Sequence, residues 1–291
     1  MLLIKNLWSI LDEAAMARDI DILVLSDLHL GTNQCRAGRL YKYLKSVNPK
    51  MLILNGDIID IWLLDFKKWP KKHTKVLAYL FNLMTANVPI YYLPGNHDDY
   101  LKQFDGLSFN NFKIQNELTL DLNGRKTWFM HGDKHDKSVN GTKRDIAIRA
   151  GKAFDSFVGF NRFINGWENF LGVKDRTNFS KSLKDRTKSA IKKNNDFEQQ
   201  YIEEAALNKV DTLVCGHVHQ PGMTKVSAMQ NKRHVDYLNS GDWTENCTSL
   251  EYVDGKWTLY RYRYNYTKHE SVLKNVRFTQ SDIYPFLEKQ D

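Results

Sequence analysis

The sequence predicts an α/β layered fold carrying an inserted helical cap, and three observations predict it. Short apolar, β-rich runs recur at 22–26, 51–55, 90–93, 126–130 and 211–215, lengths that fit buried strands. Stretches of helical period at 36–47 and 72–87 separate the first three runs, and strands alternating with helices define an α/β fold. Residues 134–210 are too long for a connecting loop and read as helical, so they are expected to stand as a cap inserted into the core.

Taken in order, the first run leads into SDLHLG and the second into NGDIID. The helix over 72–87 stops ahead of Pro89, which cannot continue it. The third run then enters PGNHDD, the fourth enters MHGD and the fifth enters CGHVH. Strand-like segments at 233–239, 247–253 and 256–264 add an antiparallel component. The expected organisation is a core built from 1–133 and 211–291, with 134–210 as its insert. A chain of 291 residues can bury such a core in full.

Composition points to a cytoplasmic globular protein, with 42% hydrophobic residues. Cys35, Cys215 and Cys247 are odd in number, scattered and free of any Cys-x-x-Cys pair, which excludes a disulfide framework and a zinc knuckle. Lys5, Asp12, Glu13 and Arg18 break the first twenty residues, and nowhere do eighteen apolar residues run together. Neither a signal peptide nor a membrane span is therefore expected.

Seven residues carry the functional signal: Asp27, His29, Asp57, Asn96, His131, His217 and His219. Each follows an apolar run and lies in a Gly-containing turn, so five separate segments deliver oxygen or imidazole ligands to one sheet edge. In an extended segment residues i and i+2 share a face, so Asp27 pairs with His29, and His217 with His219. Two divalent cations about 3.5–4 Å apart need a shared anion, and the lone carboxylate Asp57 is the natural bridge. The expected division is Asp27, His29 and His219 on one cation, Asn96, His131 and His217 on the other. Such a donor mix suits manganese, iron or zinc better than calcium, and Mn2+ is the expected metal.

The set Asp-x-His, Gly-Asp, Gly-Asn-His-Asp, His-Gly and Gly-His-x-His resembles the signature of the calcineurin-like metallophosphoesterases at every ligand position. The resemblance implies a two-sheet sandwich flanked by helices. The phrases SDLHLGT, NGDIIDIW, LPGNHDDYL, CGHVHQP and NSGDWTENCTSLE, with a helical insert before CGHVHQP, are similar to the UDP-2,3-diacylglucosamine pyrophosphatase group, from about residue 21 to 253. That likeness implies cleavage of the UDP-linked diacylated sugar to UMP and a lipid monophosphate, in lipid A synthesis at the inner face of the cytoplasmic membrane. One position departs from it, since His97 stands where studied members of the group carry Arg.

Two cations make hydroxide available near neutral pH and offset charge building on the phosphoryl oxygens. His97, beside the ligand Asn96, is expected to hydrogen-bond the phosphoryl oxygen or protonate the leaving oxygen, with Asp98 holding its imidazole in the required tautomer. Asn96 is expected to face substrate as well as metal. Asp242 of SGDW is expected to support the site from outside the ligand set.

The insert carries 16 Lys and Arg against 10 Asp and Glu, a net +6 of the chain's +8. Lys181, Lys184, Lys188 and Lys192 share one helical face. This is either a solvated face or one that grips a polyanion or an anionic membrane surface; Lys184 and Lys188 are the expected substrate contacts. Phe154, Phe157, Phe160, Phe163, Trp167 and Phe170 form an apolar stripe, which serves either packing or an acylated substrate. Trp62, Phe66 and Trp69 are placed to face the same cleft. The alternative function is a phosphodiesterase or nuclease acting on nucleotides or nucleic acid; interleaved YRYRYNY at 260–266 is its best support. Strict alternation of Tyr260, Tyr262, Tyr264 and Tyr266 instead favours a sheet or membrane-interface role, so a nucleic-acid partner is not expected. No protein partner is expected either.

Overall fold

A computed structural model of the protein describes residues 17–64, 69–136 and 196–262. Strands β1 (Arg18–Ile20) and β2 (Ile22–Leu25) precede helix α1 (Ala37–Leu44), β3 (Val47–Pro49) and β4 (Leu52–Asn55). Helix α2 (Lys71–Thr85) leads to β5 (Ile90–Leu93), a 3₁₀ segment at Asp99–Phe104, and the hairpins β6 (Ser108–Phe109) with β7 (Phe112–Ile114) and β8 (Leu118–Leu122) with β9 (Arg125–Phe129). Helix α3 (Asp196–Leu207) is followed by β10 (Thr212–Cys215), β11 (Gly222–Ser227), β12 (His234–Asn239), β13 (Thr248–Val253) and β14 (Lys256–Arg261).

The strands form a seven-stranded sheet ordered β14-β13-β2-β4-β5-β7-β6 and a five-stranded sheet ordered β11-β12-β10-β9-β8, with β1 and β3 paired apart. In the first sheet β2, β4, β5 and β7 run parallel; in the second β9, β10 and β12 do. Period-two alternation sorts each strand between two apolar layers. Ile22, Val24, Ile53 and Leu93 face Leu118, Phe129, Val214 and Leu238 in a core between the sheets. Their neighbours Leu23, Leu25, Leu52 and Leu54 point the other way, onto Leu40 and Leu44 of α1 and Val76 and Leu80 of α2. On the outer face of the second sheet, Trp128, Met130, Leu213 and Cys215 pack against Tyr201, Ile202, Ala205 and Ala206 of α3. The result is the α/β layered fold that the sequence predicts, in the form of the two-sheet sandwich flanked by helices that the resemblance implies.

Helix α3 lies within the segment expected as a cap, yet it packs on the second sheet. The rest of that insert lies outside the described residues, with Lys181, Lys184, Lys188, Lys192 and the stripe from Phe154 to Phe170. So do Phe66 and the YRYRYNY run beyond Tyr262. No described helix is long and apolar enough to cross a membrane.

Parallel strands place their C-terminal ends together, which is where open α/β sheets carry their sites. Here β2, β4, β5, β9 and β10 release their chains into the five motif loops at one edge. The first two loops stay in register beyond the strands, with Asp27 N donating to Gly56 O (3.0 Å) and His29 N to Asp57 O (2.9 Å).

Candidate metal centre

Five of the seven expected ligands sit on left-handed backbone: Asp27 (φ 52°), His29 (48°), Asp57 (55°), His217 (66°) and His219 (54°). This corrects the argument that i and i+2 pairs converge because the segment is extended. Convergence comes instead from turned backbone, a conformation that non-glycine residues adopt at a cost and that clusters at functional sites. It also lets His217 and His219 part company: His219 joins Asp27 and His29, while His217 joins Asp57 and His131, each trio holding its ligand atoms within 4.8 Å of one another.

Asp57 lies at the centre. Its Oδ2 is 3.4 Å from His131 Nε2, 3.9 Å from His29 Nε2 and 4.0 Å from His97 Nε2, and its Oδ1 accepts from His97 N at 2.8 Å. On one side His219 Nε2 lies 3.1 Å from Asp27 Oδ1 and 3.3 Å from His29 Nε2. On the other, the rings of His131 and His217 meet edge to face at 5.3 Å. Asp27, His29, Asp57, Asn96 and His131 are all buried.

Glycines make room for this crowding. A Cβ on Gly95 would lie 2.2 Å from Asp57 Oδ1, and one on Gly56, at φ +85°, would lie 2.2 Å from His131 Nδ1. Gly56→Ala is therefore expected to destabilise the fold by about 3 kcal/mol, combining overpacking with left-handed strain. Urea unfolding measures it, and a wild-type midpoint would contradict the packing described.

Burial would raise the carboxyl of Asp57, but the imidazoles of His131, His97 and His29 hold it well below the usual carboxylate range. Asp27 behaves likewise: burial opposes its ionisation and His219 restores it. Reciprocally, burial disfavours charge on His131 and His219, yet Asp57 raises the first well above its ordinary value and Asp27 lifts the second to about 9. Without a cation, protons hold the cluster together.

The donor set fits divalent cations. Asn96 Oδ1 and His131 Nε2 are buried without a hydrogen bond, and buried polar atoms need partners. Cations entering must displace protons from the imidazoles. Binding of Mn2+ is thus expected to weaken as pH falls from about 8 to 6 and to release protons, because His131 and His219 hold theirs at neutral pH in the cation-free protein. Calorimetry in buffers of different ionisation enthalpy reads this; pH-independent affinity would contradict it.

The far side of each ring is held too. His29 Nδ1 donates to Asp60 Oδ2 at 3.0 Å, and His131 Nδ1 donates to the Asn55 carbonyl at 2.9 Å. Asp60 was not among the residues expected from the sequence. Its Oδ2 also lies 2.9 Å from His97 Nδ1, and though burial opposes its ionisation, these two imidazoles bring it down to about 2. The signal for it was present, a carboxylate three residues past Asp57 in NGDIID.

This corrects the expectation for Asp98. Its carboxylate points away from the His97 ring and accepts from Gly95 N (2.6 Å), Ile58 N (2.8 Å), Asp57 N (3.3 Å) and Tyr92 Oη (2.5 Å), tying the second and third motif loops together. Asp60, not Asp98, is the carboxylate beside the His97 imidazole, its Oδ2 2.9 Å from Nδ1 though out of hydrogen-bond alignment, and Trp62 covers that ring at a centroid distance of 4.3 Å. Trp69 turns elsewhere, edge-on to His73. His73 in turn accepts from Gly31 N at 2.9 Å, fixing the SDLHLG turn. Asp60→Asn is expected to lower kcat and weaken cation binding roughly 10–100-fold. Metal titration beside steady-state kinetics checks both, and a loss in neither would contradict the shared anchor.

Asp242 is fully buried and organises its turn by accepting from Thr244 N (2.8 Å), Thr244 Oγ1 (2.7 Å) and Asn246 Nδ2 (2.5 Å). Asn246 Nδ2 also donates to His219 O at 2.9 Å, and Trp243 N donates to Asp27 O at 3.1 Å. The SGDW loop thus braces the backbone on both sides of the Asp27–His219 pair.

A cluster of imidazoles and carboxylates at the strand ends of a two-sheet sandwich offers a centre for divalent cations, and the family model for calcineurin-like phosphoesterases matches residues 20–221. The chain belongs to that family, which makes it a metal-dependent hydrolase of phosphoester bonds. Among curated proteins it is similar to a UDP-2,3-diacylglucosamine hydrolase of Serratia proteamaculans, 26% identical over 232 residues, covering 77% of this chain and 91% of the relative. A protein of the same name from Pectobacterium carotovorum is 24% identical over 241 residues, covering 79% and 93%. A third, from Aliivibrio fischeri, is 23% identical over 248 residues, covering 82% and 98%.

Proposed function

We propose that the protein cleaves the pyrophosphate of UDP-2,3-diacylglucosamine, giving UMP and 2,3-diacylglucosamine 1-phosphate for lipid A synthesis. The observation that carries the substrate is the match to hydrolases of that name along more than nine-tenths of their own length. Asp27, His29 and His219 would hold one divalent cation and Asn96, His131 and His217 the other, with Asp57 placed to serve both. Mn2+ is the metal that this donor set favours within the family's range.

Bound cations supply Lewis-acid activation of water and neutralise the phosphoryl oxygens. The chain supplies the rest. Asp60 lies beside His97 Nδ1, leaving Nε2 on the Asp57 side to donate to a phosphoryl oxygen or to the leaving oxygen. Trp62 and the loop tied by Asp98 keep that ring in place, and Asn96 presents its amide to metal and substrate. Lys184 and Lys188 of the insert contact the substrate's phosphates, and the insert's aromatic stripe receives acyl chains. The enzyme works in the cytoplasm, peripherally on the inner face of the cytoplasmic membrane.

A phosphodiesterase acting on nucleotides is the second reading, favoured by His97 at a position where the pyrophosphatase group carries Arg. The test is Mn2+-loaded protein incubated with UDP-2,3-diacylglucosamine in detergent and followed by mass spectrometry, with Asp57→Asn as control. Formation of UMP and the acylated sugar phosphate by wild type alone is the expected result. Hydrolysis of a generic phosphodiester without turnover of the lipid would overturn the substrate and favour the second reading.

A further inference from the structure

Two of the imidazoles at the centre have their outward nitrogen held by an acceptor, Asp60 for His29 and the Asn55 carbonyl for His131. His217 has a counterpart that no motif announces: its Nε2 lies 2.9 Å from Asp136 Oδ2. We propose that Asp136 is the positioning residue that fixes the tautomer and orientation of His217 for the second cation, an inference that rests on the two-cation reading above.

The chemistry is that of a neutral imidazole, which has one N–H and one lone pair. With Nε2–H donating to Asp136, the lone pair stands on Nδ1, and the ring is held against rotation about its Cβ–Cγ bond. Carboxylates in this outer position raise ligand basicity as well as orienting the ring.

The placement is specific. Asp136 lies five residues past His131 in MHGDKHD, where its own N donates to Asp133 O at 3.1 Å. The turn is further fastened by Lys102 Nζ to Asp133 Oδ2 at 2.6 Å and by His135 N to Tyr201 Oη at 2.9 Å. One loop therefore carries both a candidate ligand, His131, and the carboxylate that orients a candidate ligand from another strand. The backbone of His217 is fixed independently, its N donating to Asp27 Oδ2 at 3.1 Å. The His217 ring also meets His131 edge to face at 5.3 Å, and the Asp136 carboxylate adds the contact at Nε2 that selects one tautomer. The Asp136 side chain keeps 18% of its exposure, and thermal unfolding of the metal-free variants reads any packing lost with it.

The test is Mn2+ titration of wild type, Asp136→Ala and Asp136→Asn by equilibrium dialysis, with electron paramagnetic resonance of the loaded proteins and thermal unfolding of the metal-free ones. Wild type is expected to hold two Mn2+ per chain with a spin-coupled signal. Asp136→Ala is expected to keep the cation on the Asp27, His29 and His219 side, to bind the second roughly 10–100-fold more weakly, and to show an uncoupled Mn2+ signal at substoichiometric loading. Asp136→Asn retains an acceptor oxygen and is expected to restore the second site to within a few-fold. Two tight sites in Asp136→Ala, or Asp136→Asn as weak as Asp136→Ala, would overturn the proposal. A lowered metal-free melting temperature in Asp136→Ala with equal weakening of both sites would also overturn it, by making the role structural. Fewer than two Mn2+ on wild type would instead overturn the two-cation reading.

Discussion

Asp57→Asn is expected to lower kcat/KM by at least about 10²–10³-fold, the scale of losing one preorganised electrostatic contact at the reacting centre, and to reduce Mn2+ stoichiometry below two. Among the described residues Asp57 is the one carboxylate within 4.0 Å of imidazoles from three different loops, His29, His97 and His131. An amide in its place is close in size but neutral, so it cannot offset two dications, and buried charge left uncompensated is strongly unfavourable. Metal analysis of the purified variant beside its kinetics checks this. Full metal content at near wild-type rate would remove the basis for a bridged centre.

His97→Ala is expected to do the opposite with metal. Its Nε2 stands on the Asp57 side while Nδ1 lies beside Asp60; of the three groups among the described residues able to hold a cation it falls in the one with His29 and Asp60, not in either trio assigned here. Loss of a positioned acid typically costs 10²–10⁴-fold, so kcat is expected to fall by roughly that factor while two Mn2+ are retained. The variant should also be partly spared when the leaving group needs no protonation, as with a nitrophenolate. Loss of a cation from His97→Ala would make it a ligand.

The contrast between these variants reflects which parts of the site were legible in sequence. Ligand types at the ends of β2, β4, β5, β9 and β10 could be read because parallel strands, buried on both faces, appear as continuous apolar runs that end abruptly in polar turns. The orienting groups could not. Asp98 adjoins His97 in the chain, but close packing of the second and third motif loops sends its carboxylate to Gly95, Ile58 and Tyr92. Asp60, three residues from Asp57, reaches His29 and His97 only because two loops remain in register beyond their strands. Asp136 meets His217 across strands separated by the whole insert, a contact without local pattern.

The fold divides in the same way. The four-residue buried strands β2, β4, β5 and β10 stand out as continuous apolar runs and the helices α1 and α2 as periodic ones, so both are visible within a few residues. Strands β1, β3, β6 and β7 span two or three residues each, too short for periodicity to register, and they are defined by their neighbours rather than by their own sequence. Strands β8 and β11 alternate with exposed polar residues and pair antiparallel at the edges of the second sheet, where one face meets water and the apolar run is broken.

Two cations sharing Asp57 are the core of the proposed centre, and anomalous diffraction at the manganese edge from Mn2+-soaked crystals locates them. Two peaks about 3.5–4 Å apart, one beside Asp27, His29 and His219 and the other beside Asn96, His131 and His217, with Asp57 between them, is the predicted result. A single peak, or two peaks without Asp57 between them, would contradict it.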